Sequence, residues 1–269
     1  KYSVVADFVP NLSVHSGIKI DTFKQNQLSP ARKIQIEEDK IYLSLAMVES
    51  GDSPSYLYSE YQSEFWWRDP ARGKVPFGWN LGPTALDLIP AIIEYYYDTA
   101  TPNDYFYCAI SGVGYMFVPH YGEKLPNRDE VYKEYLTKTA NYMHKLDLDI
   151  VGVYTGPWRY TRADDVYLTQ FAENIPGIKG IFSDMGKAEE INPADANYDV
   201  SIKKVPVFHC LTRWNPQVIG TAFYTKKFNT REVVSWLVKE ILANTPAKKP
   251  ALMQVMVYSW HYSPTMVKQ

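Results

Sequence analysis

"DYFYCAISGVGYMFVP", residues 104–119, carries the reading of the fold. From Asp104 to Gly112 it is apolar at nearly every position and dense in Tyr, Phe and Ile. A strand that is apolar throughout is one buried on both faces, as in a parallel sheet. The run then breaks at two glycines around Val113 and turns aromatic at Tyr115 and Phe117, before Pro119. Glycine tolerates positive φ, so the expectation is a strand end that turns sharply at Gly112 or Gly114 and carries Tyr115 and Phe117 into a mouth above the sheet. A dinucleotide-binding turn would need a third glycine three residues later, where Phe117 stands, so no cofactor is expected.

Similar runs lie on either side, at 2–8, 40–50, 75–80, 149–156, 177–184, 205–212 and 251–260. Helical patterns fall between several of them. In 127–147, Tyr132, Leu136, Ala140, Met143 and Leu146 share one stripe, and Asn127 with Glu130 has the spacing of a capping box. In 229–244, Asn229 and Glu232 repeat that start, and Val233, Trp236, Leu237 and Ile241 form the stripe. Weaker patterns lie at 161–174 and at 83–98, the latter interrupted by Pro90. Eight strands with interleaved helices over 269 residues predict an α/β fold, a (β/α)8 TIM-like barrel, irregular because 9–39 lacks a clear helix. A seven-stranded or open variant and a doubly wound sheet are the alternatives. No interdomain linker is visible, so 1–269 reads as a single barrel domain.

Composition narrows the function. A net charge of −2 gives no basic face for nucleic acid, and no run of about 18 apolar residues predicts a membrane span. Aromatic residues make up 15%, with 22 Tyr and 7 Trp, and their flat faces with polar tips suit sugar rings as well as a core. Cys108 and Cys210 sit inside apolar runs and read as buried thiols. The chain starts at Lys1 without a signal peptide, as a mature secreted chain or an excised domain would.

In a barrel, chemistry gathers at the C-terminal ends of the strands. Those ends carry Asp7, then Glu49 and Asp52, Trp79, Tyr115, Tyr154 and Trp158, Asp184, His209 and Arg213, and Trp260 and His261. Carboxylates among aromatics are what glycoside hydrolysis needs: one acid protonates the leaving oxygen while the other attacks the sugar or activates water. Asp184 and Asp52 are the expected catalytic pair, with Glu49 a substitute for either. Asp7, Trp79, Tyr115, Tyr154, Trp158, His209, Arg213, Trp260 and His261 are expected to bind the substrate. Two alternatives stay open: a non-catalytic carbohydrate-binding barrel, and a metal-dependent hydrolase, such as a deacetylase, built on Asp7, His209 and His261. No H-x-H or H-E-x-x-H spacing supports the metal, and none is assigned.

The segment from Pro76 to Pro119 resembles the region that names the GxGYxYP family of putative glycoside hydrolases. The motif falls on Gly112, Gly114, Tyr115 and Phe117, with Phe117 at the second Tyr and Val118 ahead of Pro119. The likeness extends to "DFVPNLSVHSG" (7–17), "ESGDS" (49–53) and "RGKVPFGW" (72–79). Ser50 and Ser53 stand where family members carry the outer residues of an Asp-Gly-Asp-Asn-like element, leaving Asp52. The resemblance implies a barrel-like fold, a carbohydrate substrate or ligand, and a secreted or periplasmic setting.

Overall fold

A computed structural model describes residues 4, 6, 7, 9–25, 35–48, 53–154, 165–183, 201–210, 230–259 and 262–269. The strands are β1 (Ile41–Val48), β2 (Phe77–Leu81), β3 (Asp104–Cys108), β4 (Ile150–Val153), β5 (Gly180–Ser183), β6 (Ser201–Ile202), β7 (Val205–His209) and β8 (Ala251–Tyr258). They form one sheet in the order β6-β7-β5-β4-β3-β2-β1-β8. Every pairing is parallel except the short β6–β7 ladder. The strands expected at 40–50, 104–112, 177–184 and 205–212 are therefore parallel members of one sheet, and their C-terminal ends share one rim.

The sheet curls. Strands that are not neighbours meet on its inner face: Tyr107 of β3 donates its hydroxyl to the Met47 carbonyl of β1 at 2.5 Å, and the Tyr107 and Phe182 rings lie 5.3 Å apart. The inner cluster is built from Ala46, Val48, Tyr107, Ala109, Ile110, Tyr154, Phe182, Cys210, Met256 and Tyr258, and contains no helical residue. Where the ends of the sheet approach, Cys210, just after β7, makes a single parallel bridge to Gln254 of β8.

One expectation is corrected here. The expected first strand at 2–8 is not seen among the described residues of that run: residues 4, 6 and 7 are not in the sheet. Among the described residues seven parallel strands are present rather than eight. β8 fills the place beside β1, matching it residue for residue from Ile41↔Ala251 to Val48↔Tyr258.

Helices cover the outer face. They are α1 (Leu12–His15), α2 (Ser53–Tyr58), α3 (Ala85–Leu88), α4 (Pro90–Thr99), α5 (Arg128–Lys145), α6 (Asp165–Asn174), α7 (Thr230–Ala243) and α8 (Pro264–Lys268). The expected stripe of α5 buries Tyr132, Leu136 and Met143, joined by Tyr135 and Thr139. Asp129 and Glu130 in its first turn, and His144 and Lys145 in its last, complement the helix dipole. The capping box is not made: the Asn127 amide turns to the Glu130 carboxylate at 3.3 Å instead of to the backbone. Pro90 divides 83–98 as expected. Ile89 is held at φ −142, ψ 50, because a residue before proline is pushed out of the helical region, so α3 stops and α4 restarts. Among the described residues no helix is long and apolar enough to cross a membrane.

Candidate functional site

The segment 109–118 leaves β3 at the C-terminal rim of the sheet. Ser111 ties it to β4: its backbone N–H donates to the Gly152 carbonyl at 2.7 Å, and its hydroxyl accepts from the Tyr154 N–H at 2.8 Å. The chain then turns at Gly112, whose φ is +115, while Gly114 is not in the positive-φ region. α5 fixes the turn from behind. Its Thr139 hydroxyl accepts from the Val113 N–H at 3.3 Å, and its Tyr135 hydroxyl donates to the Gly114 carbonyl at 2.8 Å. Burial pushes the Tyr135 hydroxyl well above its ordinary pKa, only partly offset by the bond to Gly114, so it stays a proton donor.

The turn delivers Tyr115 and Phe117 edge to face, with ring centroids 5.6 Å apart, and Phe117 continues to Tyr154 at 5.2 Å. Phe117 packs against the inner cluster and Tyr154 belongs to it, while Tyr115 keeps partial exposure. Of the two glycines, Gly112 supplies the positive φ at the turn before the aromatic run. Because Tyr135 holds the turn through one hydroxyl, Tyr135→Phe should cost about 1–2 kcal/mol, the usual result of leaving a buried carbonyl without its donor. A smaller drop in the denaturation midpoint, with Tyr115 fluorescence unmoved, would show that the turn holds itself.

Strand phase decides which expected site residues reach this mouth. Gly78 is in register with Ala46, and Asn80 with Tyr107, so Asn80 lies on the inner face; it accepts a hydrogen bond from the Tyr61 hydroxyl. Trp79 has the opposite phase. It shares the outer cluster with Phe77 and Leu81, is fully buried, and donates Nε1–H to Asp104 at 2.8 Å. Its role is in the sheet–helix layer rather than at the mouth. His209 likewise alternates with the inner-cluster residues Phe208 and Cys210, and shares the phase of Val205 and Val207 in the outer cluster. Asp7 is exposed and accepts from the Ser55 hydroxyl of α2 at 2.9 Å, which brings it beside the helix that follows β1.

Glu49, Asp52, Trp158, Asp184, Arg213, Trp260 and His261 lie outside the described residues. In sequence, Glu49 directly follows the last residue of β1, and Asp184 the last residue of β5. Both cysteines are buried thiols, and burial pushes the Cys108 thiol far above its ordinary pKa, which leaves no thiolate for nucleophilic work. No group of three His, Cys, Asp or Glu suited to a metal occurs among the described residues.

The curled parallel sheet carries its GVGY turn at the rim, and comparison with known proteins identifies the family. The family described as "GxGYxYP putative glycoside hydrolase C-terminal domain" matches residues 39–269. The chain belongs to this family. A solved structure, a putative hydrolase from Bacteroides thetaiotaomicron, superposes with a TM-score of 0.71 at 23% identity. The superposition covers 97% of this chain and 47% of the Bacteroides protein, so this GxGYxYP chain spans about half the length of that neighbour and shares its fold. No curated protein matches the chain.

Proposed function

We propose that this chain is a glycoside hydrolase working at the C-terminal rim, with Asp184 and Asp52 as its carboxyl pair and Glu49 as substitute for either. Membership of the GxGYxYP family over residues 39–269 carries this reading. It is supported by the parallel strands: β1 and β5 end at the rim where Tyr115 and Tyr154 gather, and Glu49 and Asp184 are the next residues in sequence. The seven parallel strands then act as a closed barrel, for which the Cys210–Gln254 bridge is the support. One carboxyl group protonates the glycosidic oxygen. The other attacks the anomeric carbon when the pair is roughly 5 Å apart, or activates water at roughly 6.5–9.5 Å. Tyr115 and Tyr154, with Trp158 and Trp260, receive the sugar face, while Asp7, Arg213 and His261 hold hydroxyls.

The test is reducing-sugar release and calorimetric binding on a panel of oligosaccharides. Asp184→Asn keeps shape and hydrogen-bonding capacity but loses the charge, so turnover should fall on the order of 10²–10⁴-fold with affinity nearly unchanged. Wild-type binding without release, unchanged in Asp184→Asn, would establish a non-catalytic carbohydrate-binding barrel. Activity lost to chelation and restored by Zn²⁺ would establish a metal-dependent hydrolase.

A further inference from the structure

Gln254 sits in the middle of β8, is fully buried, and among the described residues has a hydrogen-bond partner for neither its amide nitrogen nor its amide oxygen. Buried amides are rarely left so, because each unmet group forfeits its bond to water. Its phase is that of Met256 and Tyr258, so it faces the inside of the curl, while Val255 and Val257 face the helices. Its place along the sheet matters equally. Gln254 bridges Cys210, which follows the last residue of β7, and the Cys210 N–H donates to the Ser183 carbonyl at the end of β5 at 3.2 Å. The amide is thus level with the rim ends of β5 and β7, two strands from the point where the sequence continues into Asp184. β8 rises past it as a wall to Tyr258.

The geometry points to Gln254 as a hydroxyl-binding residue of the saccharide site, one whose ligand is a neutral sugar; this rests on the carbohydrate reading above. A primary amide offers two donors and an acceptor without charge, which matches a sugar hydroxyl that both gives and takes. A carboxylate or sulfate only accepts, and would meet the amide oxygen unfavourably. The side chains of the inner cluster near Gln254 include Cys210, Met256, Tyr258 and Phe182, which are uncharged, a setting that suits a neutral ligand.

The experiment is titration calorimetry with cellobiose, lactose, mannobiose and xylobiose, and with a glucuronate-bearing disaccharide as the charged comparison. Wild type, Gln254→Met and Gln254→Asn are each paired with a thermal denaturation curve. Methionine matches the volume and removes the unmet polar atoms, so the midpoint should stay or rise while Kd for the bound neutral disaccharide weakens at least tenfold. Asparagine keeps the amide but withdraws it by one methylene, and should weaken Kd less. Unchanged Kd with a raised midpoint in Gln254→Met overturns the inference, since the glutamine is then only a polar residue of the core. If Gln254→Met does not fold, unchanged Kd in Gln254→Asn overturns it too. Tightest binding of the charged disaccharide overturns the neutral-sugar assignment. A wild type that binds none of the five sinks the carbohydrate reading itself, whereas retained affinity in both variants sinks only the role of Gln254.

Discussion

Gly112→Val should lose the native fold outright or lower its denaturation midpoint by about 10 °C. Two costs fall on the same atom. At φ +115 a side chain is strained by roughly 1–2 kcal/mol. An added Cβ would also stand 2.4 Å from the Thr139 hydroxyl, 2.9 Å from its methyl and 3.1 Å from the Tyr135 ring. Overpacking of that kind costs roughly another 1–3 kcal/mol, and Thr139 has little room to yield, being fully buried on α5. For a chain of this size each kcal/mol moves the midpoint by roughly 2–4 °C. Gly177 is the internal control. It also has positive φ, +80, but a Cβ there meets nothing within 4 Å. Gly177→Ala should therefore lose only about 1 kcal/mol, the strain without the collision. Equal losses at the two positions would show that backbone strain alone sets the cost, and that the contact between the turn and α5 adds nothing.

The second large effect belongs to Asp104→Asn, expected to cost about 3–5 kcal/mol, the range for breaking a buried ion pair. Asp104 opens β3 on the outer side, its carboxylate fully buried. It accepts from Arg72 at 2.5 Å, from the Thr101 N–H and hydroxyl at 2.8 Å each, and from Trp79 Nε1 at 2.8 Å. Arg72 in turn lies over the Trp67 ring at 4.2 Å. Both carboxylate oxygens accept from donors, Oδ2 from Arg72 and Thr101 and Oδ1 from Trp79, so an amide of the same shape must turn an N–H toward one of those donors. The Arg72 charge, with a side chain only 14% exposed, is left uncompensated. Urea denaturation is the measurement, with Lys203→Ala beside it. The Lys203–Glu173 pair, 2.8 Å long, is solvent-exposed on both sides, so Lys203→Ala should change stability little. A loss under 1 kcal/mol for Asp104→Asn would show that Arg72 finds water or another acceptor when the carboxylate is gone.

What could be read from the sequence follows from which signals are local. Seven of the eight expected strands exist because continuous apolar runs report burial on both faces, and a parallel sheet wrapped in helices provides it. The run at 2–8 has a similar composition, but the place expected for it beside β1 is taken by β8, which pairs with all of β1. Pairing over that separation leaves no trace in the residues of either segment. β6 escaped notice for the opposite reason. It is two residues long, and its turn to β7 places Lys203 and Lys204 at φ 52 and 69, a conformation lysine does not advertise.

The candidate site was legible as a rim but not always as a face. Placing residues by nearness to a strand end put Trp79 and His209 beside Tyr154, although a shift of one residue along a strand exchanges its two faces. Asn80 and Gln254, which face the inside of the curl, were hidden in the same way. Asn80 is one position from Trp79, and Gln254 lies inside a run whose apolar character made it look like wall. The usable signal was alternation within the run: a polar residue in phase with Met256 and Tyr258 is a polar residue on the inside.

The pairing of β1 with β8 also sets a timetable. These strands lie roughly two hundred residues apart, and contacts so distant in sequence form late and slowly. During synthesis from the N-terminus, Ile41–Val48 is made early, yet one of its edges waits until Ala251–Tyr258 has left the ribosome. Until then an apolar strand stands with one row of backbone groups open to any other extended chain. Expression at high rate or high temperature should thus divide the product between folded and aggregated protein before stability is tested at all, with the last strand deciding the share.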